Sequence, residues 1–235
     1  MIKENLKRGT LFYKIYLYYQ LYFRYKLFYK KNNYSQFDED IFIQNFFLNN
    51  NSGTFVDIGC FHPIRYNNTY LLYKMGWRGI NIDLNPSCID MFNIIRKDDE
   101  NVCSVIGGQK KDVNVYIEHL FSAANIIDKK IYDKDQKGNK LFKKVMTSKM
   151  QRFEDIVKKK FDFLNIDVEG IDYEILKTIN LDFYKPKLVC IEILETEIEN
   201  KKKIFEYFKK NNYSFCKNLR VSYFFKSNSF DSYNR

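Results

Sequence analysis

The chain has 235 residues, enough for one α/β domain with an extension, and 45% of them are hydrophobic, so a full core is within reach. Its 39 Lys and Arg against 29 Asp and Glu leave a net charge of +10, a balance that attracts nucleic acid or anionic membranes without specific contacts. Lys, Asn, Ile, Tyr and Phe are abundant together and share A/T-rich codons, so composition alone could account for much of that basic balance.

Residues 11–30 (LFYKIYLYYQLYFRYKLFYK) are dense in aromatics, yet Lys14, Gln20, Arg24 and Lys26 interrupt them. The segment is therefore too charged for a membrane span. A helix here could make a peripheral contact with the inner membrane surface, because Tyr with interspersed Lys and Arg suits the headgroup region. The charged positions do not gather on one helical face, which favours packing on the domain or on a second subunit of a homo-oligomer.

From 37 to 48 the pattern FDEDIFIQNFFL predicts a helix, with Asp38, Glu39 and Asp40 complementing the dipole in its first turn. A first strand ends at Gly59, a helix runs from about 68 to 75 before Gly76, and a second strand occupies 79–83. Asn85 caps the next helix, with Pro86 at its first position. A third strand is expected over 102–106 and an alternating hairpin or edge strand over 113–117. Between 122 and 144 the periodicity dissolves into a long loop, either a lid or substrate-binding element or a solvated insertion. Helices near 153–159, from 172 and over 204–209 then alternate with strands over 161–167 and 187–193, and 213–216 with 221–225 closes as an antiparallel pair. Alternation throughout predicts an α/β doubly wound sheet.

The segments FVDIGC (55–60) and FLNIDVEG (163–170) each read as a buried parallel strand whose exit holds a carboxylate beside a glycine. In an open α/β sheet those exits line the ligand crevice. Asp57 and Gly59 sit at the first strand-to-helix turn, and Asp83 ends the second strand, where an acid can accept hydrogen bonds from both ribose hydroxyls. Either acid could instead only cap its following helix. The phosphate-binding pattern G-x-G-x-x-G is absent, since Cys60, Phe61, His62 and Pro63 follow Gly59. A phosphate-free adenosine cofactor fits better, and S-adenosylmethionine is such a cofactor.

The run DIGCFHPIRYNNTYLLYKMGWRGINIDLNPSCIDMF, followed by NIDVEGIDYEILKTI and PKLVCIEI, resembles the FkbM-type S-adenosylmethionine-dependent methyltransferases over 54–192. The resemblance implies a Rossmann-like seven-stranded methyltransferase sheet, placed over 51–235, and the aromatic and basic residues 1–50 are expected as a helical extension outside it. It implies O-methylation of a sugar, glycan precursor or other small-molecule hydroxyl. Asp57, Gly59, Cys60 and Leu84 would then border the cofactor, Asp83 would hold its ribose, and Asp167 with Glu169 would face the methyl or the acceptor. Two departures stand out: Cys60 replaces the family's usual alanine, and the third strand ends in Val105-Ile106-Gly107 without an acid.

A neutral alcohol is a poor nucleophile, so a base is expected beside it. Asp167 and Glu169 are the first candidates, and His62, directly after the cofactor-binding turn, is a third. Asp167 with Glu192 could instead ligate a divalent cation such as Mg²⁺ that lowers the acceptor's pKa. Cys60 as a nucleophile lacks a histidine partner. The runner-up is a nucleic-acid-binding protein or nucleic-acid methyltransferase using the lysines at 129–144, 158–160 and 201–203, although solvated helix faces explain such clusters as well. A metal-dependent hydrolase built on Asp57, Asp83 and Asp167 lacks supporting histidines. Cys60, Cys88, Cys103, Cys190 and Cys216 form no C-x-x-C pair, which argues against a zinc site and for free thiols in a reducing cytoplasm. No secretory signal is visible near the start, so a cytoplasmic location is expected.

Overall fold

The computed structural model describes residues 6–24, 26, 32–50, 52–123, 125–168, 170–194, 196 and 198–230. Among them, β1 (Thr54–Ile58), β2 (Arg78–Asp83), β3 (Glu100–Cys103), β8 (Phe163–Ile166), β9 (Leu188–Glu192), β10 (Tyr213–Leu219) and β11 (Ser222–Ser227) form one seven-stranded sheet. Its order is β10-β11-β9-β8-β1-β2-β3. The pairs from β9 through to β3 are parallel, whereas β11 runs antiparallel to both β9 and β10.

Alternation along each strand sends side chains to opposite faces. Val56, Ile58, Leu164, Ile166, Val189 and Ile191 enter one core with Phe153 and Ile156 of α6 (Phe153–Ile156), Ile175 and Leu176 of α7 (Asp172–Thr178), Leu181 and Tyr184 of α8 (Leu181–Tyr184), and Ile204 and Phe208 of α9 (Ile198–Lys210). Phe55, Phe163, Leu188 and Cys190 enter the other, against Ile43 of α2 (Glu39–Phe46), Phe47, Trp77, and Leu72 of α3 (Tyr70–Lys74). Helices thus cover both faces of the central strands. The dipole reading of the DED run is incomplete, because Glu39 and Asp40 are buried. Asp40 accepts hydrogen bonds from the Tyr34 amide at 2.6 Å and the Ser35 hydroxyl at 2.7 Å.

The expected strand over 102–106 divides at Ser104. Its first part is β3, and β4 (Val105–Ile106) belongs to a second sheet of order β4-β7-β5-β6, with β5 (Lys111–Ile117), β6 (Asn125–Ile126) and β7 (Lys144–Gln151). The stretch expected as loop over 122–144 instead contains β6 and α5 (Lys129–Lys137) and reaches the start of β7. Asp128 caps α5, its carboxylate accepting from the Lys130 amide at 2.6 Å. The helix expected over 153–159 ends at Ile156.

Near the start, α1 (Leu11–Tyr18) runs into a π-helical turn (Tyr19–Arg24). Tyr13, Leu17 and Leu21 pack with Cys88 and Met91 of α4 (Pro86–Ile95) and with Val105 and Val115. Asp90 holds the segment in place, accepting from the Tyr13 hydroxyl at 2.7 Å and from two Arg8 guanidinium nitrogens, each at 2.7 Å. No helix among the described residues is long and apolar enough to cross a membrane.

Candidate active site at the strand exits

The central parallel strands are in register, Ile58 lying between Ile82 and Ile166, so their exits converge. The Gly59 amide donates to the Ile82 carbonyl at 2.9 Å, and the Asp167 amide donates to the Ile58 carbonyl at 3.0 Å. Gly59 has φ +82°, where an L side chain is strained, and a β-carbon there would lie 1.7 Å from the Asp167 carbonyl oxygen. Only glycine fits this turn.

Past Gly59 a cleft opens. One end is bordered by Gly59, Phe61, Ile82, Asp83, Leu84, Val105 and Ile106, and the other by Gln36, Glu39, Asp167, Val168, Ile171, Glu192, Val221 and Ser222. Ala123, Asn125, Ile126, Ile127, Asp128 and Ile131 supply a further wall, so the segment expected as a loop reaches the site.

Asp83 stands where the strand pattern put it. Its carboxylate accepts from the Phe61 amide at 2.9 Å and the Asn85 amide at 2.7 Å, which fixes both oxygens at the cleft edge. Burial nevertheless pushes its pKa up to about 6. Asn85 in turn caps α4, accepting from the Ser87 amide at 3.0 Å.

Asp57 and Cys60 border the turn from behind and do not line the cleft. Asp57 is buried and accepts from the Thr69 hydroxyl at 2.8 Å, the Asn165 amide at 2.9 Å and the Asn67 amide at 3.4 Å. Its carboxyl is raised by burial, with Arg96 and these three partners opposing. Arg96, itself fully buried, donates to Thr69 at 2.8 Å, Asn67 at 3.1 Å and Asp99 at 2.9 Å. Asp57 is thereby the centre of a polar network that ties β1 to α3 and α4. Cys60 packs with Ile89 and Phe92, and burial holds its thiol protonated.

His62 also lies outside the cleft lining. Its Nδ1 accepts from the amides of Ile64 at 3.2 Å and Arg65 at 3.0 Å. Burial, reinforced by Arg65, lowers its pKa to about 3, too low for an effective base at neutral pH. The geometry gives His62 the work of holding the 61–65 turn.

Asp167 and Glu192 both line the cleft, whereas Glu169 lies outside the described residues. Among the described residues no group of three or more His, Cys, Asp or Glu gathers to hold a metal ion. Asp172 anchors the turn after β8 by accepting from the amides of Val168 at 3.0 Å and Gly170 at 3.1 Å. Burial, then the neighbouring Asp167, raises its pKa to about 8.

Sequence reasoning missed Glu39 as a cleft residue. Its carboxylate accepts from the Phe37 amide at 2.6 Å and the Ser222 hydroxyl at 3.2 Å, joining α2 to the antiparallel edge. The available signal was the DED run itself, three acids opening an amphipathic helix immediately before the first strand.

No curated protein and no solved structure matches the chain. A family match, described as the methyltransferase FkbM domain, covers residues 50–215 and takes in β1, β2, β8 and β9 with their exits at the cleft, leaving Gln36, Glu39, Val221 and Ser222 of the lining outside it. A match over that much of the 235 residues settles the kinship that the glycine turn and the acids at the strand exits point to: the chain belongs to the FkbM methyltransferase family.

Proposed function

We propose that the protein transfers a methyl group from S-adenosylmethionine to a hydroxyl of a sugar or glycan precursor. The observation that carries this reading is the charge of the cleft. In a chain of net charge +10, the described cleft residues include five carboxylates, Glu39, Asp83, Asp128, Asp167 and Glu192, and no Lys or Arg. A phosphate-bearing nucleotide or a nucleic-acid backbone would meet repulsion there, whereas a sulfonium cation is complemented.

Two further observations support the donor: Gly59 lines the cleft at the first strand-to-helix turn, and the Asp83 carboxylate is fixed where a ribose would need it. Asp83 would hold the ribose, Leu84 the adenosine side, and Gly59 the methionine side. When bound, S-adenosylmethionine supplies an electrophilic methyl on a good leaving group. The chain's own contribution is then positioning. Gln36, Glu39, Glu192 and Ser222 would accept and donate hydrogen bonds to acceptor hydroxyls, and Asp167 would take the proton from the reacting one. Glu169 is assigned beside Asp167 by family resemblance. Asp167 and Glu192 would give a divalent cation such as Mg²⁺ two carboxylate ligands, and a cation held there would lower the pKa of the acceptor hydroxyl.

We read the main sheet as the Rossmann-like doubly wound form, with 51–235 as the catalytic domain and α2 counted with it because Glu39 reaches the cleft. Five free thiols suit a reducing cytoplasm, which we propose as the compartment. Thermal shift with S-adenosylmethionine, its demethylated product, NAD and Mg²⁺ tests the donor directly. Stabilisation by the first two supports the proposal. Stabilisation by NAD alone would overturn it.

A further inference from the structure

We propose that the outward face of α1 and the following π-helical turn docks on an anionic membrane surface. The segment has two faces. Its inner face is fixed, with Leu17 and Leu21 buried and Tyr13 held by Asp90. Its outer face is exposed: Leu11 is 70% exposed, Phe12 77% and Phe23 70%, with Ile15, Tyr18, Tyr19 and Tyr22 between them also exposed. Single exposed apolar residues are ordinary, but seven within fourteen consecutive residues make a patch.

Charge decides what covers it. Between residues 5 and 37 the sequence has seven bases, Lys7, Arg8, Lys14, Arg24, Lys26, Lys30 and Lys31, and no acid, although the whole chain has 29 acids to its 39 bases. A/T-rich codons explain abundant lysine but not this local exclusion of Asp and Glu. A second copy docking by two-fold symmetry would set this positive stretch against itself. An anionic bilayer complements it, and tyrosines with apolar rings and polar tips suit the headgroup layer. Apolar area plus basic charge is the two-part signal that gives reversible surface binding.

The position of the face matters to the site. Phe61 and Leu84 pack against the same cluster as Leu17 and Leu21 and also line the cleft, so α1 and the cleft share a wall. Docking would hold the cleft close to the lipid surface.

The test is flotation of the full chain with vesicles of phosphatidylcholine alone or mixed with phosphatidylglycerol. Binding to the mixed vesicles only, released by high salt, is expected. Phe12→Ser with Phe23→Ser should cut the bound fraction about tenfold while leaving the melting temperature unchanged, since both side chains are exposed. No binding at low salt, equal binding to neutral vesicles, or unchanged binding by the double variant would each overturn the proposal. Conversion of a dimer to a monomer by the double variant would overturn it as well, in favour of a second copy.

Discussion

Gly59 and the Asp167 carbonyl stand so close that the exits of β1 and β8 pack as one surface, with room between them for hydrogen but not for a β-carbon, which would lie 1.7 Å from that oxygen. The two segments most telling in the sequence are therefore mechanically coupled. Gly59→Ala should destabilise the fold by about 2 to 4 kcal/mol, combining strain at φ +82° with a clash against backbone that cannot swing aside. Denaturant unfolding measures this, and a loss below about 0.5 kcal/mol would show that the turn has a second conformation.

Asp83→Ala should weaken binding of S-adenosylmethionine about 10- to 100-fold, the range for hydrogen bonds to an ionised partner. Calorimetric titration reads it. Because burial raises this carboxyl to about 6, wild-type affinity should also fall as pH drops through that value and the acceptor form is lost. Full affinity in the alanine variant would remove the ribose assignment.

Glu39→Gln should leave donor affinity within about twofold and lower methyl transfer to sugar-containing acceptors about tenfold or more, because Glu39 lies at the Asp167 and Glu192 end of the cleft. An equal loss of donor affinity would instead place Glu39 with the cofactor.

Asp172 gives a pH dependence of stability. Its folded pKa of about 8 lies above the unfolded value of 3.8, so between them the folded chain holds a proton that the unfolded chain has released. Stability from this group is therefore fullest at low pH, falls as pH rises through that window, and levels above about 8, with a slope of at most about 1.4 kcal/mol per pH unit. Asp172→Asn should flatten the slope in denaturant titrations run across the window. An unchanged slope would assign the dependence to other groups.

The central strands were legible because short, mainly apolar runs, FVDI and FLNI, suit burial on both faces, and the one polar residue in each, Asp57 and Asn165, is hydrogen-bonded to the other. The Asn85-Pro86 cap was legible for a local reason, since both residues act on their own helix terminus. The second sheet was not. β7 (KVMTSKMQ) alternates weakly and is half exposed, and its partner β5 lies some thirty residues away, so nothing local announces the pairing. The division at Ser104 was hidden because Val102 to Ile106 reads as one strand, while only tertiary context decides that its two halves join different sheets. At the site, Asp83, Asp167 and Glu192 lie at strand ends and could be read from them. Glu39 comes from a helix ahead of the sheet, Ser222 from the antiparallel edge, and the wall over 123–131 from a stretch with no clear period.

Among the described residues, the strands between Ser104 and Arg152 pair with one another and with no strand of the main sheet, β4 to β7, β7 to β5 and β5 to β6. No ladder of the seven-stranded sheet depends on them, yet this stretch lends the cleft one flank. The exits around Gly59, Asp83 and Asp167 are thus built into the main sheet, whereas the flank stands on a separate ladder whose Val105, Val115 and Ile117 rest on α1 and α4. Substitutions on the cleft side of that flank, at Asn125, Ile127 or Ile131, would re-shape the cavity without breaking a rung of the seven-stranded sheet.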